Sequence, residues 1–396
     1  MNPKINKIIL AIIAIGIAGI LLFSASIAYH KYIGNCLTRG IAYFKEQNFS
    51  KAISELDKVI KLDPKNYTAF IYRGDAYDTI GNLDLALSDF DKALKIDPTK
   101  PSPYAGRGSV YHKKGDCDKA IAEIDKAIAI MPNFADFYAS RGECNYKRGK
   151  YDEAISDFNK AIEIKPDYPE VYWIRGMANY KKGDFDHAIS DYNKTIALSA
   201  SLSKEALSIL YDNRSCAYYE KGDYDQSISD SNKAIENKAN SAESFYNRGI
   251  TYLKKDNYAQ AISDLTKAIE INPKKIDYHS ARAHAYGKQG DFDKAMADYD
   301  KEFEMYPKNA VAYDSRADVF TLAGNYDQAL SDCNKAIEIN PDEAEFYNTR
   351  ANAHYFKKEY DKAWDDVHKA ETLGYKSDKE DLEFIEKLKK ASGREK

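Results

Sequence analysis

The chain has 396 residues, 44% of them hydrophobic, which is enough to bury several compact cores or one long tandem array. Its 58 basic and 62 acidic residues are mixed along the chain and give a formal net charge of -4. This balance argues against nucleic acid as a partner, because binding to a phosphate backbone requires a basic surface. Five scattered cysteines without CxxC spacing argue against a disulfide framework or a zinc site.

The amino-terminal segment, residues 1–32, contains an uncharged stretch of 22 residues from Ile8 to Tyr29. At about 1.5 Å per residue, a helix of that length covers the roughly 30 Å of hydrocarbon in a bilayer. We therefore predict one transmembrane helix, with membrane association through residues 8–29. A cleaved secretory signal ending at Ala28 is the alternative, since a basic start and a small-residue end also suit a signal peptidase.

Either interpretation places the rest of the chain outside the cytoplasm, in the periplasm if the cell is Gram-negative. Lys4 and Lys7 on the short side favour a retained amino terminus, and hence a single-pass protein with an extracytoplasmic carboxyl-terminal region. If the signal were cleaved, the protein would instead be secreted.

Arginines recur after this segment at a step of 34 residues, interrupted once by a step of 39 between Arg175 and Arg214. The period defines ten copies, which start at Ile33, Tyr67, Pro101, Ala135, Pro169, Ser208, Ala242, Ile276, Ala310 and Ala344. Numbered from these starts, the arginine stands at place 7. We predict copies 1–5 over residues 33–202 and copies 6–10 over residues 203–377. The insertion, Ser199 to Ser203, forms either a hinge or an extra helical turn before Ser208.

Each copy has the pattern of a helix–turn–helix hairpin, with helix A followed by helix B. Place 8 is Gly, Ala or Ser in every copy and place 20 is Ala in nine, so the two helices can approach closely. Tyr or Phe at place 11 or 12 fills the remaining space. Gly at place 15 and Pro at place 32, each in seven copies, end the two helices.

The Arg-Gly-x-x-Tyr start, Ala at places 20 and 27 and Pro at place 32 resemble the tetratricopeptide repeat (TPR) family. The resemblance covers residues 33–377. It implies an all-α fold, a right-handed superhelical solenoid of ten 34-residue repeats, with a concave groove lined by helix A of each copy. We predict a capping helix over residues 378–396, built on an apolar edge of Leu382, Ile385 and Leu388.

The arginine at place 7 departs from the family pattern, which expects Leu. An acid stands at place 23 of all ten copies, and a partly buried guanidinium is tolerated only beside a carboxylate. We therefore predict a ladder of structural ion pairs, internal or between neighbouring copies, rather than a row of arginines for an anionic ligand. Representative pairs are Arg73 with Asp89, Arg141 with Asp157, Arg175 with Asp191, and Arg248 with Asp264.

The groove places 5, 9, 12 and 13 follow no rule across the copies, so ligand recognition can determine them. Two copies are apolar there and carry a lysine at place 13, which suits an extended or helical peptide with some acidic residues. Packing between neighbouring copies is the alternative interpretation of the same residues. The candidate partner-binding residues are Trp173, Met177, Tyr180, Lys181, Tyr246, Ile250, Leu253 and Lys254.

No catalytic, cofactor-binding or metal-binding motif is present, so we predict a non-enzymatic protein without a cofactor or a small-molecule substrate. The leading hypothesis is a membrane-tethered scaffold that binds peptide segments of partner proteins, in the assembly or organisation of an envelope complex. The alternatives are a self-assembling structural protein and a targeting subunit of a separate enzyme.

Overall fold

The computed structural model describes residues 3–198, 202–376 and 379–394, and it describes side chains from residue 22 onward, except those of residues 379 and 380. All regular structure in these ranges is α-helical, which confirms the all-α prediction. The helices are α1 (Pro3–Lys45), α2 (Phe49–Leu62), α3 (Tyr67–Thr79), α4 (Leu83–Ile96), α5 (Ser102–Lys113), α6 (Cys117–Ile130), α7 (Ala135–Lys147), α8 (Tyr151–Ile164), α9 (Pro169–Lys181), α10 (Phe185–Leu198), α11 (Lys204–Lys221), α12 (Tyr224–Asn237), α13 (Ala242–Lys254), α14 (Tyr258–Ile271), α15 (Ile276–Gln289), α16 (Phe292–Met305), α17 (Ala310–Leu322), α18 (Tyr326–Ile339), α19 (Ala344–Phe356), α20 (Tyr360–Thr372) and α21 (Lys379–Ser392).

The chain divides into two compact units, Met1–Asp184 and Phe185–Lys396. Odd-numbered helices from α1 to α19 are the A helices of the ten copies, and even-numbered helices are the B helices. Within each unit every helix packs on the next, and successive A helices also pack on one another. Each unit is therefore a stack of hairpins in which a copy buries its apolar face against its neighbours.

The predicted start of the first copy at Ile33 is not a helix boundary, because α1 runs without a break from Pro3 to Lys45. The hydroxyl of Tyr29 donates to the carbonyl of Leu62 at 2.8 Å, so the end of the apolar stretch already contacts helix B of the first copy. The membrane-span prediction finds no support: in the part of the chain that the structure describes, none of the helices is long and apolar enough to cross a bilayer. Residues 8–21 of that stretch lie outside the residues whose side chains are described.

The insertion lengthens one A helix. Helix α11 begins at Lys204, four residues before Ser208, and Ser203 caps it by accepting a hydrogen bond from the backbone N–H of Ala206. Of the two interpretations of the insertion, the structure contains the extra helical turn. Residues 199–201 of the insertion lie outside the described residues.

The contact between helices A and B is set by places 8 and 24. A Cβ added at Gly74 would lie 2.7 Å from the Phe90 ring, and one added at Gly142 would lie 2.6 Å from the Phe158 ring. Copies with a small residue at place 24 have Ala or Ser at place 8, as in the ninth copy with Ala317 and Cys333. The six copies with Gly at place 8 all have a large residue at place 24, and the eighth copy, with Ala283 and Tyr299, has a large residue there beside Ala.

The sixth copy has hydroxyl groups at this contact. Ser215 bonds to Ser231 at 2.7 Å and to the carbonyl of Ser227, whose hydroxyl bonds to Thr251 at 3.0 Å. All four residues are buried. Their polar groups satisfy one another, so the small side chains do not leave unpaired groups in the core.

The capping helix packs through an edge that differs from the predicted one. Phe384 and Leu388 of α21 are buried against Ala351, Ala363 and Val367, whereas Leu382 is 56% exposed. Residues four apart lie on the same helix face, so Phe384 and Leu388 form the contact and Leu382 points away from it. Ile385 and Leu388 of the predicted edge pack on this cluster, whereas the assignment of Leu382 to that edge was wrong.

Place 15 has a left-handed backbone in all ten copies. Seven copies have Gly there, with φ between 72° and 88°, and the other three have Gln47, Asp256 and Lys358, with φ of 59°, 55° and 65°. Such a backbone ends a helix A, and for a residue with a Cβ it costs roughly 1–2 kcal/mol. These three copies therefore contain local strain.

We expect Lys358→Gly to raise the free energy of unfolding by about 0.5–1 kcal/mol, because the strain relieved exceeds the entropy that glycine adds to the unfolded chain. Urea unfolding followed by circular dichroism measures the change. Lys358→Ala is the matched control, since it removes the same exposed side chain but keeps the Cβ. Equal stability of the Gly and Ala variants would contradict the strain assigned to place 15.

Candidate functional site

In most copies the arginine at place 7 donates to the acid at place 23 of its own copy. Arg73 donates from Nε and Nη2 to the two carboxylate oxygens of Asp89, both at 2.7 Å. Arg248 holds Asp264 in the same way at 2.7 and 2.6 Å, and Arg141 Nη2 lies 2.6 Å from Asp157. The same contact occurs in the pairs Arg39–Glu55, Arg214–Asp230, Arg282–Asp298, Arg316–Asp332 and Arg350–Asp366.

The remaining amino group of the guanidinium reaches the preceding copy. Arg73 Nη1 lies 2.5 Å from Asp57, and Arg248 Nη1 lies 2.6 Å from Asn232. These acceptors stand at place 25 of helix B, which is Asp, Asn or Thr in each of the first nine copies. The other such contacts are Arg107–Asp91, Arg141–Asp125, Arg175–Asn159, Arg214–Asn193, Arg282–Thr266 and Arg350–Asn334. One guanidinium thus joins helix B of its own copy to helix B of the copy before.

An aromatic ring three residues earlier on helix A covers the guanidinium in most copies. Arg248 lies 5.6 Å from the Phe245 ring centroid, and Arg350 lies 5.4 Å from that of Tyr347. The Arg73 side chain is 13% exposed and that of Asp89 is 2% exposed. Because its N–H donors are paired and its face lies against a ring, the guanidinium has few free donors for a ligand.

The third copy departs from this geometry. Glu replaces Asp at place 23, Arg107 lies 3.5 Å from Glu123, and Arg107 Nε and Glu123 Oε2 have no hydrogen-bond partner among the described residues. In the fifth copy, Arg175 belongs to the first unit and Asp191 to the second, so the Arg175–Asp191 pair stays a prediction, and Arg175 donates to Asn159 at 2.5 Å.

Pairing with Arg282 also affects the ionisation of the Asp298 carboxyl group. Burial alone would raise the pKa of Asp298, but the hydrogen bonds from Arg282 and His279 outweigh it and lower the pKa. A carboxyl whose pKa is lowered by folding contributes stability above its ordinary pKa of about 4 and loses it as the pH falls through the folded value. The contact of Arg282 and His279 with Asp298 therefore stabilises the eighth copy at neutral pH and weakens in acid.

We define the A face as places 5, 9, 12 and 13 of the A helices. Trp173, Met177 and Tyr180 of α9 are half-buried there, and Lys181 is exposed. Tyr246, Ile250 and Leu253 of α13 are also half-buried, and Lys254 is exposed. The first group lies in the first unit and the second group in the second unit, so they are two separate patches within their own stacks.

The patch on α13 also contributes to packing. The ring of Tyr246 lies 5.0 Å from that of Tyr278 in the next A helix, and Tyr246 and Leu253 contact the cluster that contains Ala261, Leu265 and Ala285. Packing between neighbouring copies is therefore one role of these residues. Peptide recognition stays possible as a second role, since part of each side chain is accessible.

The A face also carries acids that the sequence analysis did not single out. Burial and a second acid nearby, Asp78, raise the pKa of Asp75 to about 7, and burial raises the pKa of Asp212 to about 6. Burial and the lysines near it lower the pKa of His284 to about 4. The lysines at place 13 are not all free positive charges, because Lys113 Nζ lies 2.9 Å from a carboxylate oxygen of Asp78. Asp75, Asp212 and His284 could have been found in the sequence as titratable residues at place 5 or 9 of an A helix.

Several polar atoms of the A face lack a partner. Nine buried side-chain nitrogen or oxygen atoms have no hydrogen-bond partner in the described part of the chain, and five of them are on A-face residues: Asp78, His112, Trp173, Asp212 and Asp314. Native proteins leave few such atoms, and each one indicates a missing donor or acceptor. The described residues contain no group of three or more His, Cys, Asp or Glu that could hold a metal ion.

Models of tetratricopeptide repeats match residues 37–101 and 280–344, residues 101–134 and 169–201, residues 142–183 and 217–256, and residues 242–275. Together these matches cover more than half of the chain. The chain belongs to the tetratricopeptide repeat family. Members of this TPR family generally mediate protein–protein interactions, and the repeat is typically a non-catalytic scaffold.

Two solved TPR structures share the fold of this protein. One, from Parabacteroides merdae, is 21% identical and covers 65% of this chain and 98% of its own, with a TM-score of 0.57. The other, the C-terminal part of a TPR repeat-containing protein from Cytophaga hutchinsonii, is 20% identical and covers 62% of this chain and 98% of its own, with a TM-score of 0.50. No curated protein matches this sequence.

We expect Arg248→Leu to lower the free energy of unfolding of the TPR array by about 3 kcal/mol, because the buried carboxylate of Asp264 loses its partner. Urea unfolding followed by circular dichroism measures this loss. Lys255→Leu is the matched control in the same copy, since it removes one positive charge from an exposed pair with Asp225 and should cost less than about 1 kcal/mol. Unchanged melting of Arg248→Leu together with lost partner binding would instead make the arginine a ligand-binding residue.

Proposed function

We propose that this protein is a membrane-tethered scaffold whose A face binds peptide segments of partner proteins during assembly or organisation of an envelope complex. The observation that carries the proposal is the pair of half-buried apolar patches on the A face, Trp173, Met177 and Tyr180 on α9 and Tyr246, Ile250 and Leu253 on α13. The interactions generally made by the family support it.

The surrounding residues fit a bound peptide. The A face combines half-buried aromatic and aliphatic side chains, such as Trp173 and Tyr246, with exposed lysines, such as Lys181 and Lys254. Large amphipathic side chains at the centre of an interface supply most of its binding free energy.

We expect Trp173→Ala with Tyr246→Ala to abolish recovery of cross-linked partners from cells while the helical content is preserved, because both changes remove apolar contact area from the A face. Affinity purification with quantitative mass spectrometry measures the loss. The matched control is Phe134→Ala with Tyr306→Ala, which removes two exposed aromatics that lie outside the A face. An unchanged set of partners would refute this surface, and equal loss in the control would show a general effect of removing aromatics.

The membrane tether rests on the apolar stretch of residues 8–29. An anchor followed by a peptide-binding array would concentrate partners at the membrane surface. Lys4 and Lys7 before the stretch support a location of the array outside the cytoplasm.

We expect protease added to intact or outer-membrane-permeabilised cells to digest the array, since the proposed topology exposes it on the outer side of the inner membrane. An antibody against the carboxyl terminus reports digestion and also whether the amino-terminal segment has been removed. A cytoplasmic protein probed in the same samples is the control for cell integrity. Protection until the inner membrane is opened would reverse the orientation and make the protein a cytoplasmic docking scaffold.

A further inference from the structure

Two of the five cysteines meet in one cluster at the contact between the third and fourth copies. Cys144 on α7 is fully buried there, and Cys117, the first residue of α6, packs against the same cluster and is partly exposed. The spacing of the cysteines along the chain argued against a disulfide framework, but it could not show that stacking of the copies brings one pair together. The other three cysteines, Cys36, Cys216 and Cys333, belong to other copies.

The repeat explains why these two side chains meet. Cys117 stands at place 17 of helix B, and Cys144 stands at place 10 of the next helix A. Residues at the same two places share a buried cluster at two other contacts between copies. They are Leu83 with Val110, and Phe292 with Val319. Because the copies repeat one geometry, places 17 and 10 face each other across the stack.

Cysteine at place 17 is a departure from the repeat. The place is aromatic in eight copies and Leu83 in the ninth, so Cys117 is the one small residue there. Place 10 is Ala, Val or Thr in every copy except the fourth, which has Cys144. Exchange of an aromatic ring for a thiol removes apolar contact area, and it does so opposite the one cysteine at place 10.

The same helix B has a long arginine contact within its own copy. Glu123 of α6 lies 3.5 Å from Arg107, and one nitrogen and one oxygen of these two side chains lack a partner among the described residues. A covalent bond from Cys117 to α7 would attach α6 to the fourth copy independently of that contact.

We propose that Cys117 and Cys144 form a reversible disulfide that crosslinks the third copy to the fourth. Cys117 is the thiol that an oxidant can reach, because Cys144 is fully buried. The inference concerns the chemistry of the array itself and does not depend on which partner the A face binds.

The oxidant is a second disulfide, of a small molecule or a protein. The Cys117 thiolate attacks one sulfur of that disulfide and releases one thiol, which leaves Cys117 in a mixed disulfide. Cys144 then loses its proton, attacks the Cys117 sulfur and releases the second thiol. Two protein thiols are oxidised by two electrons in total, and the oxidant takes up those electrons and both protons as it becomes two thiols.

Closure of the ring is the slower of the two steps. Burial, together with the charge and hydrogen bond of Cys117, raises the pKa of Cys144 to about 12. Only the thiolate attacks a disulfide, and little of it exists on Cys144 at neutral pH. Cys117 is therefore modified first, and Cys144 resolves the mixed disulfide.

The first test maps the disulfide in the full chain, held in detergent micelles. The reduced protein is freed of reductant and incubated with oxidised glutathione at about pH 8, near the pKa of a free thiol. Remaining thiols are blocked, and the peptides of a non-reducing digest are identified by mass spectrometry. We expect the main product to be one linked pair of peptides that contain Cys117 and Cys144. Glutathione that stays on Cys117, or bonds mainly to other cysteines, would overturn the proposal.

The second test measures whether the bond restrains the stack. Oxidation should slow hydrogen exchange at the backbone amides of α6 and α7 by about tenfold or more, since a crosslink restricts opening of this contact. Cys117→Ser should lose this protection. The matched control Cys216→Ser, which removes the other partly exposed cysteine, should keep it. Equal exchange in the oxidised and reduced chains, or protection that persists in Cys117→Ser, would overturn the crosslink.

Discussion

The contact between a place-7 arginine and a place-23 carboxylate determines how this protein is organised. It joins helix A to helix B within a copy through two short hydrogen bonds, and its third amino group joins the copy to helix B of the preceding copy. A carboxylate as buried as that of Asp89 would be strongly destabilising without this partner. Because the unit repeats, one kind of contact supplies both the intra-copy and the inter-copy interface on which a repeat array depends.

This contact separates the residues that build the array from those that can vary. The small residues at place 8, the residue at place 24, the left-handed backbone at place 15 and the arginine with its two partners are fixed by geometry. The A face is left to residues that the fold does not dictate, and there half-buried acids, aromatics and unpartnered polar atoms accumulate. Burial of such groups without partners costs stability, and natural proteins accept that cost mainly at functional sites.

Much of the fold could be predicted from the sequence, because the period aligns ten versions of the same environment. Gly at place 15 predicted the end of helix A in seven copies, and the structure extends this to Gln47, Asp256 and Lys358, of which only Asp256 has a residue type that tolerates a left-handed backbone. The acids at place 23 identified a partner for the arginines. The second partner, at place 25, was visible as an unbroken run of Asp, Asn and Thr, but its role depends on how neighbouring copies stack.

Other features depended on three-dimensional context. Leu382 and Leu388 are equally apolar, and only the docking of α21 determines that Phe384, not Leu382, joins Leu388 in the core. Charges at places 5 and 9 could be read from the sequence, but the burial that raises the pKa of Asp314 and leaves its Oδ1 without a donor could not. The two apolar patches on α9 and α13 could be found from the pattern, yet the packing of Tyr246 on the ring of Tyr278 could not.

The most direct measurement is a double-mutant cycle on Arg248 and Asp264, with urea unfolding of the wild type, Arg248→Leu, Asp264→Leu and the double variant. If the arginine ladder holds the array together, the coupling free energy between the two side chains should be about 2 kcal/mol, and the double variant should be more stable than the sum of the single losses implies. A coupling near zero would mean that the pair does not stabilise the fold, and the ten arginines would then have to be explained by a ligand.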